Sequence, residues 1–192
     1  MSDTRTHILA TGRRLTAERG YTAVGLAELL KTASVPKGSF YHYFASKEDY
    51  GCALLKAFVH SYKGELGHTL DNSALDARAR LLAYFARWQQ NQTSPQPEDR
   101  CLVVKLSAEI ADLSPDMRAI LQQGVAAIVE RLAGTLRAGA ADGSIAPLQD
   151  NDVLAVTLYQ IWLGASLMAS LSRDEEPFRI AMQQTRAMVL PG

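Results

Sequence analysis

The 192-residue sequence predicts an all-α protein of about nine helices. Apolar residues recur at three- and four-residue spacing along most of the chain, and the strict alternation typical of half-buried strands does not occur. Helix-capping residues precede several of these apolar segments. With 47% apolar residues, the chain has enough hydrophobic side chains for a sizeable core. We therefore expect a protein built of packed helices.

The first two predicted helices lead to a short third one. Ser2 or Asp3 is expected to cap the first helix, and Gly20 to end it. Leucines at helical spacing mark the second helix, namely Leu26, Leu29 and Leu30. Residues 33–35 then provide a short connection. A helix, a turn of three to four residues and another short helix form the helix-turn-helix arrangement.

The stretch from Lys37 to Phe44 is predicted to be the second helix of that motif. Pro36 suits the first helical position, where an N–H group would have no partner to lose. Ser46 and Asp49 have the spacing of a capping box, which opens the next helix. Because the first turn of a helix exposes backbone N–H groups, it attracts phosphate.

In a helix-turn-helix protein this second helix enters the major groove of DNA. Phe40 and Phe44 lie four residues apart and are expected in the core, so the polar side chains occupy the opposite side. Packing alone explains neither the cation nor the hydroxyl groups on that side. The predicted DNA-binding residues are Lys37, Gly38, Ser39, Tyr41, His42 and Lys47.

The charge distribution agrees with a DNA-binding segment at the N-terminus. The whole chain has 20 basic and 20 acidic residues and a net charge of zero. Residues 1–47 contain seven Lys or Arg and three Asp or Glu, which gives +4, so the remainder carries 13 against 17, or −4. A basic head on an acidic body is expected when a DNA-binding domain is joined to a domain that does not touch DNA.

About fifty N-terminal residues carry a family pattern, formed by Gly20, Tyr21, Ala23, Val35, Lys37 to Phe44, Lys47 and Glu48. This pattern resembles the signature of the TetR family of bacterial transcriptional repressors. The chain departs from it, in the cap of the second helix and in the turn, at Val24, Gly25, Leu30 and Ser34. The resemblance implies a helix-turn-helix domain over residues 1–47 and an effector-sensing and dimerisation domain over residues 48–192. It also implies a homodimer that binds a palindromic DNA operator.

Six further helices are predicted after this head. The helix after Ser46 runs to about residue 70 and is either a lever between the two domains or only a connector. Ser73 with Asp76 is expected to open the next helix. The remaining four are predicted over Cys101 to Leu113, from Ser114 to near Gly143, over 153–172 and from Pro177 onward.

The uncharged segment Val153 to Leu171 is long enough to span a bilayer. Polar residues interrupt it and no aromatic anchors flank it, so we expect a buried helix and no membrane partner. Large and then small residues form a stripe along it, and two copies packed there would make a two-fold dimer. The predicted interface residues are Leu158, Ile161, Trp162, Ala165, Ala169, Phe178 and Met182.

Cys101 is the candidate sensor in the body. It is predicted at a helix start, beside Arg100 and one turn before Lys105. A helix N-terminus and nearby cations favour the thiolate, which is the form that reacts with electrophiles and oxidants. The alternative is a small buried residue, since unpaired cysteines are often buried. Cys52 follows the acidic Glu48 and is expected to be a packing residue.

The residues from Cys101 to Ser114, with 162–165, resemble the electrophile-responsive branch of the TetR family. Members of that branch repress N-ethylmaleimide reductase or, in looser relatives, respond to acrylate. The resemblance implies release from DNA by reactive aldehydes, quinones or oxidants. A lysine that partners the cysteine in that branch is replaced here by Ser170. An effector pocket, whose aromatic members are alternatively plain core, is predicted to include Tyr84, Trp88, Lys105 and Glu109.

Other functions stay open at this stage. One is a cytosolic thiol-based redox enzyme using Cys101, although no histidine base or resolving cysteine lies nearby in sequence. Another is a TetR-type regulator with a reversible, non-covalent ligand. A purely structural helical adaptor leaves the polar residues from Lys37 to His42 without a role. Scattered histidines and cysteines predict no metal site, no cofactor is expected, and a chain without a signal peptide suits the cytoplasm.

Overall fold

In the computed structural model, residues 2–147 and 149–191 are described, apart from the side chains of Ser2 and Asp3. Over these residues the chain forms nine α-helices and no strand, which confirms the all-α prediction. The expected cap of the first helix by Ser2 or Asp3 lies outside the described side chains. The helices are α1 Ser2–Arg19, α2 Leu26–Thr32, α3 Lys37–Tyr43, α4 Lys47–Leu70, α5 Ala77–Thr93, α6 Leu102–Leu113, α7 Pro115–Asp142, α8 Asn151–Ser172 and α9 Glu176–Met188.

The helices pack into two compact units. The head unit comprises Met1–Ser61 and Ser94–Gly124, and the body unit comprises Tyr62–Thr93 and Val125–Gly192. The long helices α4 and α7 each contribute to both units. The helix-turn-helix segment therefore shares one packing unit with α6, although α6 follows it by more than fifty residues in the chain.

Side-chain caps begin several helices as the sequence predicts. Asp49 N–H donates to Ser46 Oγ at 3.0 Å, so Ser46 caps α4 as predicted, while the Asp49 carboxylate accepts at 2.9 Å from Ala45 N–H, one residue before the cap. Pro36 differs from the prediction: its ψ of 147° makes it the residue before the first helical turn. At α5 the cap is Asp76 and not Ser73, the residue predicted to open the helix: α5 begins at Ala77, and Asp76 accepts from Ala79 N–H at 2.7 Å.

The head unit is centred on aromatic side chains. Phe40 and Phe44 are buried as predicted, with their ring centroids 5.1 Å apart. The Tyr50 ring from α4 lies 5.7 Å from Phe40 and 5.3 Å from Phe44. Tilted and edge-on contacts of this kind add to the hydrophobic stabilisation of a core. This cluster holds α3 so that its other side faces outward.

The body unit is centred on Trp162 of α8, one of the residues predicted for the dimer interface. The Trp162 indole is fully buried, stacks on Phe85 at 4.8 Å and donates from Nε1 to Thr185 Oγ1 at 2.9 Å. Three other predicted interface residues, namely Leu158, Ala165 and Phe178, are also buried within the chain.

The opposite side of α8 is exposed. The prediction of a buried helix is therefore right for one face only. Its exposed apolar side chains are Val153, Val156, Leu167, Met168 and Leu171. Of the described residues, α8 is the one helix that is long and apolar enough to cross a bilayer by length and composition. Its inner face instead packs in the core of the body unit.

Candidate nucleic-acid interface

The turn between α2 and α3 is closed by local hydrogen bonds. Val35 N–H donates to the Leu30 carbonyl at 3.0 Å. Between them, Ser34 has a φ of 54°, in the left-handed region that favours glycine. His7 of α1 donates from Nε2 to the Ala33 carbonyl at 3.0 Å. These contacts give the turn a defined backbone, and α1 supports it.

The outer face of α3 carries the predicted DNA-binding side chains. Lys37 and His42 are exposed, and Tyr41 is 49% exposed even though it is a large aromatic residue. Lys37 Nζ lies 5.9 Å from the centroid of the Tyr41 ring. Ser39 is half-buried. The helix therefore presents a cation, an imidazole and hydroxyl groups to the outside.

Gly38 lies on the exposed part of α3. A Cβ atom added there would meet no other atom of the described residues within 4 Å. Packing within the described chain therefore gives no reason for glycine at this position. A surface outside the chain that approaches the helix closely does give one, since glycine lets a backbone approach a ligand.

Lys47 begins α4 and is tied to the turn between α1 and α2. Its Nζ lies 4.9 Å from the centroid of the Tyr21 ring, and the Tyr21 hydroxyl donates to the Lys47 carbonyl at 2.5 Å. Lys47 as a whole is partly exposed. Tyr21 thus fixes the first turn of α4 relative to the helix-turn-helix segment.

Arg5 is a further cation of this surface that the sequence did not single out. Its guanidinium carbon lies 5.5 Å from the centroid of the Phe44 ring, at the end of α3, and the residue is exposed. The distance of 39 residues along the chain hides this proximity. In the sequence, the only indication that Arg5 belongs to this surface is that it is a basic residue near the start of the chain.

Cys101 is the residue immediately before α6 and is 7% exposed. Arg100 is adjacent, but its guanidinium donates to the Ser94 carbonyl at 3.3 Å from Nε and 3.1 Å from Nη2. Lys105, one turn into α6, is exposed. The thiol therefore lies at a helix N-terminus, with one neighbouring cation held by a loop carbonyl and the other facing solvent.

Glu109 of α6 binds the backbone of the turn after α1. Its Oε2 accepts from Tyr21 N–H at 3.1 Å, and its Oε1 accepts from Thr22 N–H. Partial burial works against the charged form, but these hydrogen bonds, with help from Lys105, hold the pKa of Glu109 below its ordinary value. Glu109, predicted to line an effector pocket, therefore lies with its ionised carboxylate against the turn between α1 and α2.

Tyr84 and Trp88, the other two predicted effector residues, belong to the core of the body unit. Both are buried. The Tyr84 and Tyr62 hydroxyl groups lie 3.0 Å apart, and Trp88 Nε1 donates to Ser166 Oγ at 2.9 Å. An open groove of about 550 Å³ in the same unit is lined by Gln89, Arg179, Met182, Gln183 and Arg186.

Cys52 agrees with its interpretation as a packing residue. Burial, followed by the carboxylates of Asp116 and Glu48, raises the pKa of its thiol. A raised pKa disfavours the reactive thiolate. Among the described residues, no group of three or more His, Cys, Asp or Glu side chains is placed to hold a metal ion.

Comparison with known proteins decides the family. The pattern described as "Bacterial regulatory proteins, tetR family" matches residues 8–49, and "Tetracyclin repressor-like, C-terminal domain" matches residues 77–185. The chain belongs to the TetR family. The matched N-terminal region contains α2, α3 and most of α1, so the family pattern and the exposed helix coincide.

Relatives within the TetR family are named regulators of transcription. The chain is 41% identical to the HTH-type transcriptional repressor NemR of Escherichia coli K12, over 97% of this chain and 94% of NemR. It is 34% identical to the transcriptional regulator AcuR of Cereibacter sphaeroides, over 88% of this chain and 78% of AcuR. It is 31% identical to the repressor DhaR of Mycobacterium sp. strain GP1, over 90% and 85% of the two chains.

The structural comparison agrees. The crystal structure of the reduced form of E. coli NemR superposes with a TM-score of 0.94 at 40% identity, covering 99% of this chain and 98% of that one. The resemblance to the N-ethylmaleimide reductase repressor branch is thus confirmed. The chain is a DNA-binding transcriptional repressor of the TetR type and not an enzyme. The alternative of a thiol-based redox enzyme is therefore wrong.

Proposed function

We propose that this TetR-type repressor binds a palindromic operator as a homodimer, with α3 of each chain in the major groove. The observation that carries the proposal is the outer face of α3, where Lys37, Tyr41 and His42 are exposed around Gly38. Sequence-specific readers place such side chains against base edges and phosphates. No acidic residue of α3 opposes the negative charge of DNA.

Each part of this surface has a role in the proposal. Lys37 and Tyr41 contact guanine or phosphate, and His42 and Ser39 donate further hydrogen bonds. Gly38 lets the DNA backbone approach. Arg5, beside Phe44 just after α3, and Lys47, beside Tyr21, supply further positive charge. Bacterial DNA lies in the cytoplasm, so the repressor works there.

The exposed face of α8 is the proposed dimer contact. Val153, Val156, Leu167 and Leu171 recur at helical spacing, and Leu171 is 79% exposed. Gly164 lies on the same face, where an added Cβ would meet no other described atom within 4 Å. A second helix approaches closely at a glycine, and an exposed apolar stripe of this kind marks an interface. Of the residues expected from the sequence, Ile161, Ala169 and Met182 are partly exposed.

For the signal, we propose a reactive electrophile or oxidant that acts at Cys101. The thiol lies at the start of α6, and the related E. coli NemR structure is described as a reduced form. A helix N-terminus favours a thiolate. Because Ser170 stands where the branch has a lysine, the expected products are a simple adduct or a sulfenic acid. The competing proposal is a reversible ligand that leaves Cys101 unmodified.

Selection from random DNA duplexes tests the proposal as a whole. The wild-type protein is expected to enrich an inverted repeat whose half-sites lie about one helical turn, or ~34 Å, apart. The enriched duplex then serves as the operator in assays with a quinone, an aldehyde or hypochlorite. If no sequence is enriched, or only a single half-site without symmetry, the proposal that a homodimer binds a palindromic operator is refuted.

A further inference from the structure

The segment just before α6 contacts α1, and the second half of α6 contacts the turn that follows α1. We infer that a shift of α6 caused by the effector is passed directly to the turn between α1 and α2. Two sets of hydrogen bonds, one to α1 and one to that turn, would carry the shift. We name them the Arg13 contact and the Glu109 contact. This inference rests on the proposed function and adds the route by which the signal reaches the DNA-binding helices.

The Arg13 contact holds the backbone in front of α6. Arg13 of α1 donates from Nη2 to the carbonyl groups of Glu98 and Arg100, at 2.8 Å each. Its guanidinium carbon lies 4.6 Å from the centroid of the Phe58 ring, which limits its freedom. The planar guanidinium fixes position and direction together. Cys101 and the first turn of α6 follow directly.

The Glu109 contact holds the other end. The two carboxylate oxygens of Glu109 accept from consecutive backbone N–H groups, those of Tyr21 and Thr22. Gly20 precedes them with a φ of 92°, and a Cβ added there would lie 2.9 Å from Glu109 Oε2. Only glycine allows both the backbone conformation and the close approach. The turn is thus shaped to receive this carboxylate.

The two contacts make α1 and α6 move together. Along the chain, Arg13 precedes Tyr21 by eight residues, and its partner Arg100 precedes Glu109 by nine. The contacts join the segments in the same order, so a shift of α6 along its axis strains both. Either a contact breaks or the turn after α1 follows. Packed helices choose between such discrete arrangements and do not deform smoothly.

Movement of the turn reaches the reading surface through Tyr21. The Tyr21 backbone belongs to the Glu109 contact, and its hydroxyl donates to the Lys47 carbonyl at the start of α4. A displaced Tyr21 therefore changes how α2 and α3 sit relative to the first turn of α4. A separate contact joins the end of α6 to α4, from Ser114 Oγ to Glu48 Oε1. It supplies a control that spares both contacts to α1 and its turn.

Linkage makes this inference testable without any effector. If α6 and the turn are coupled, the arrangement of α6 changes the affinity for DNA by some factor. Bound DNA must then stabilise that arrangement of α6 by the same factor. Amide hydrogen exchange of the full-length protein, with and without saturating operator duplex, measures that stabilisation. In the wild type we expect exchange in residues 102–109 to slow by about 5-fold or more on DNA binding, the lower end of typical coupling.

Variants assign the effect to the two contacts. Glu109→Gln replaces one acceptor oxygen with an NH₂ group that faces a backbone N–H. Arg13→Lys removes the planar guanidinium that donates to the two carbonyl groups before α6. Both are expected to bind operator at saturation and to show less than about 2-fold slowing in α6, well below typical coupling. Glu65→Gln, an exposed charge-matched control on α4, and Ser114→Ala are expected to behave as wild type.

The outcomes separate the two levels of the proposal. A wild type that binds no specific duplex refutes the proposed function. If the wild-type protein binds DNA but the amide hydrogens of α6 exchange no more slowly, the inference alone is overturned. This comparison uses only the wild-type protein, so it does not depend on whether any variant folds. Full slowing retained in both Glu109→Gln and Arg13→Lys also overturns it.

Discussion

Lys37 Nζ lies 5.9 Å from the centroid of the Tyr41 ring, one turn further along the exposed side of α3. A cation above an aromatic face is attracted by about 0.5–1 kcal/mol at an exposed site. The pair therefore presents an ordered cation and hydroxyl together. Phe40, on the inner side, fixes the helix that carries them.

The Tyr41 hydroxyl and ring make separable contributions to DNA binding. Tyr41→Phe is expected to lose only the hydroxyl contact, whereas Tyr41→Ala also removes the ring that orders Lys37. We expect the alanine variant to weaken operator binding by roughly 1–3 kcal/mol and the phenylalanine variant by less. Fluorescence anisotropy with labelled operator measures both, and equal losses would contradict a role for the ring.

Substitutions on the two faces of α8 are expected to have different effects. Leu167→Glu or Leu171→Glu places a charge on the exposed face, so we expect folded monomers that bind DNA far more weakly. Leu158→Ala instead leaves a cavity in the core and is expected to cost about 2–5 kcal/mol of stability. Sedimentation and thermal unfolding distinguish the two. A dimer that persists in both glutamate variants would disprove this choice of face.

The Glu109 carboxylate makes stability depend on pH. Its folded-state pKa is lowered, so it stabilises the fold at pH values above the ordinary glutamate pKa of 4.5. That stabilisation is lost as the pH falls below 4.5 and through the lower folded-state pKa. Urea unfolding between pH 7 and about 3 is expected to show a smaller fall in stability for Glu109→Gln than for the wild type. Parallel curves would mean that the carboxylate is not held in this way.

Cys101 and Cys52 provide a matched pair for the sensor. Cys101→Ser is expected to keep operator affinity and to resist release by a quinone, an aldehyde and hypochlorite. Cys52→Ser is expected to respond as the wild type does, because its thiol pKa is raised. The readout is operator release at fixed reagent concentration. Wild-type release from the Cys101→Ser protein would indicate a reversible ligand and a packing role for Cys101.

Local chemistry made the head of the protein predictable. Capping by Ser46 and Asp49, the apolar pair Phe40 and Phe44, and the polar residues between them depend on neighbours within a few positions. Such short-range rules hold before any tertiary contact is known. The error at Pro36 is a displacement of one position at a helix end, where boundaries are least certain from sequence.

Tertiary packing decided what the sequence left open. Helix α8 is apolar on two sides, so periodicity alone did not show that Trp162 faces inward and Leu167 outward. The contacts of Arg13 and Glu109 join groups 85–88 residues apart, and their partners are backbone atoms of the loop and the turn. Backbone partners leave no signature of residue type, so these contacts were not predictable.

Operator affinity of Lys37→Ala tests the central claim most directly. Lys63→Ala is the matched control, because it removes the same charge from an exposed position on α4 outside the head unit. We expect Lys37→Ala to bind the selected operator five- to a hundred-fold more weakly, or about 1–3 kcal/mol, with an unchanged melting temperature. Lys63→Ala is expected to bind as the wild type does. Wild-type affinity of a folded Lys37→Ala protein would contradict the assignment of α3 as the reading helix.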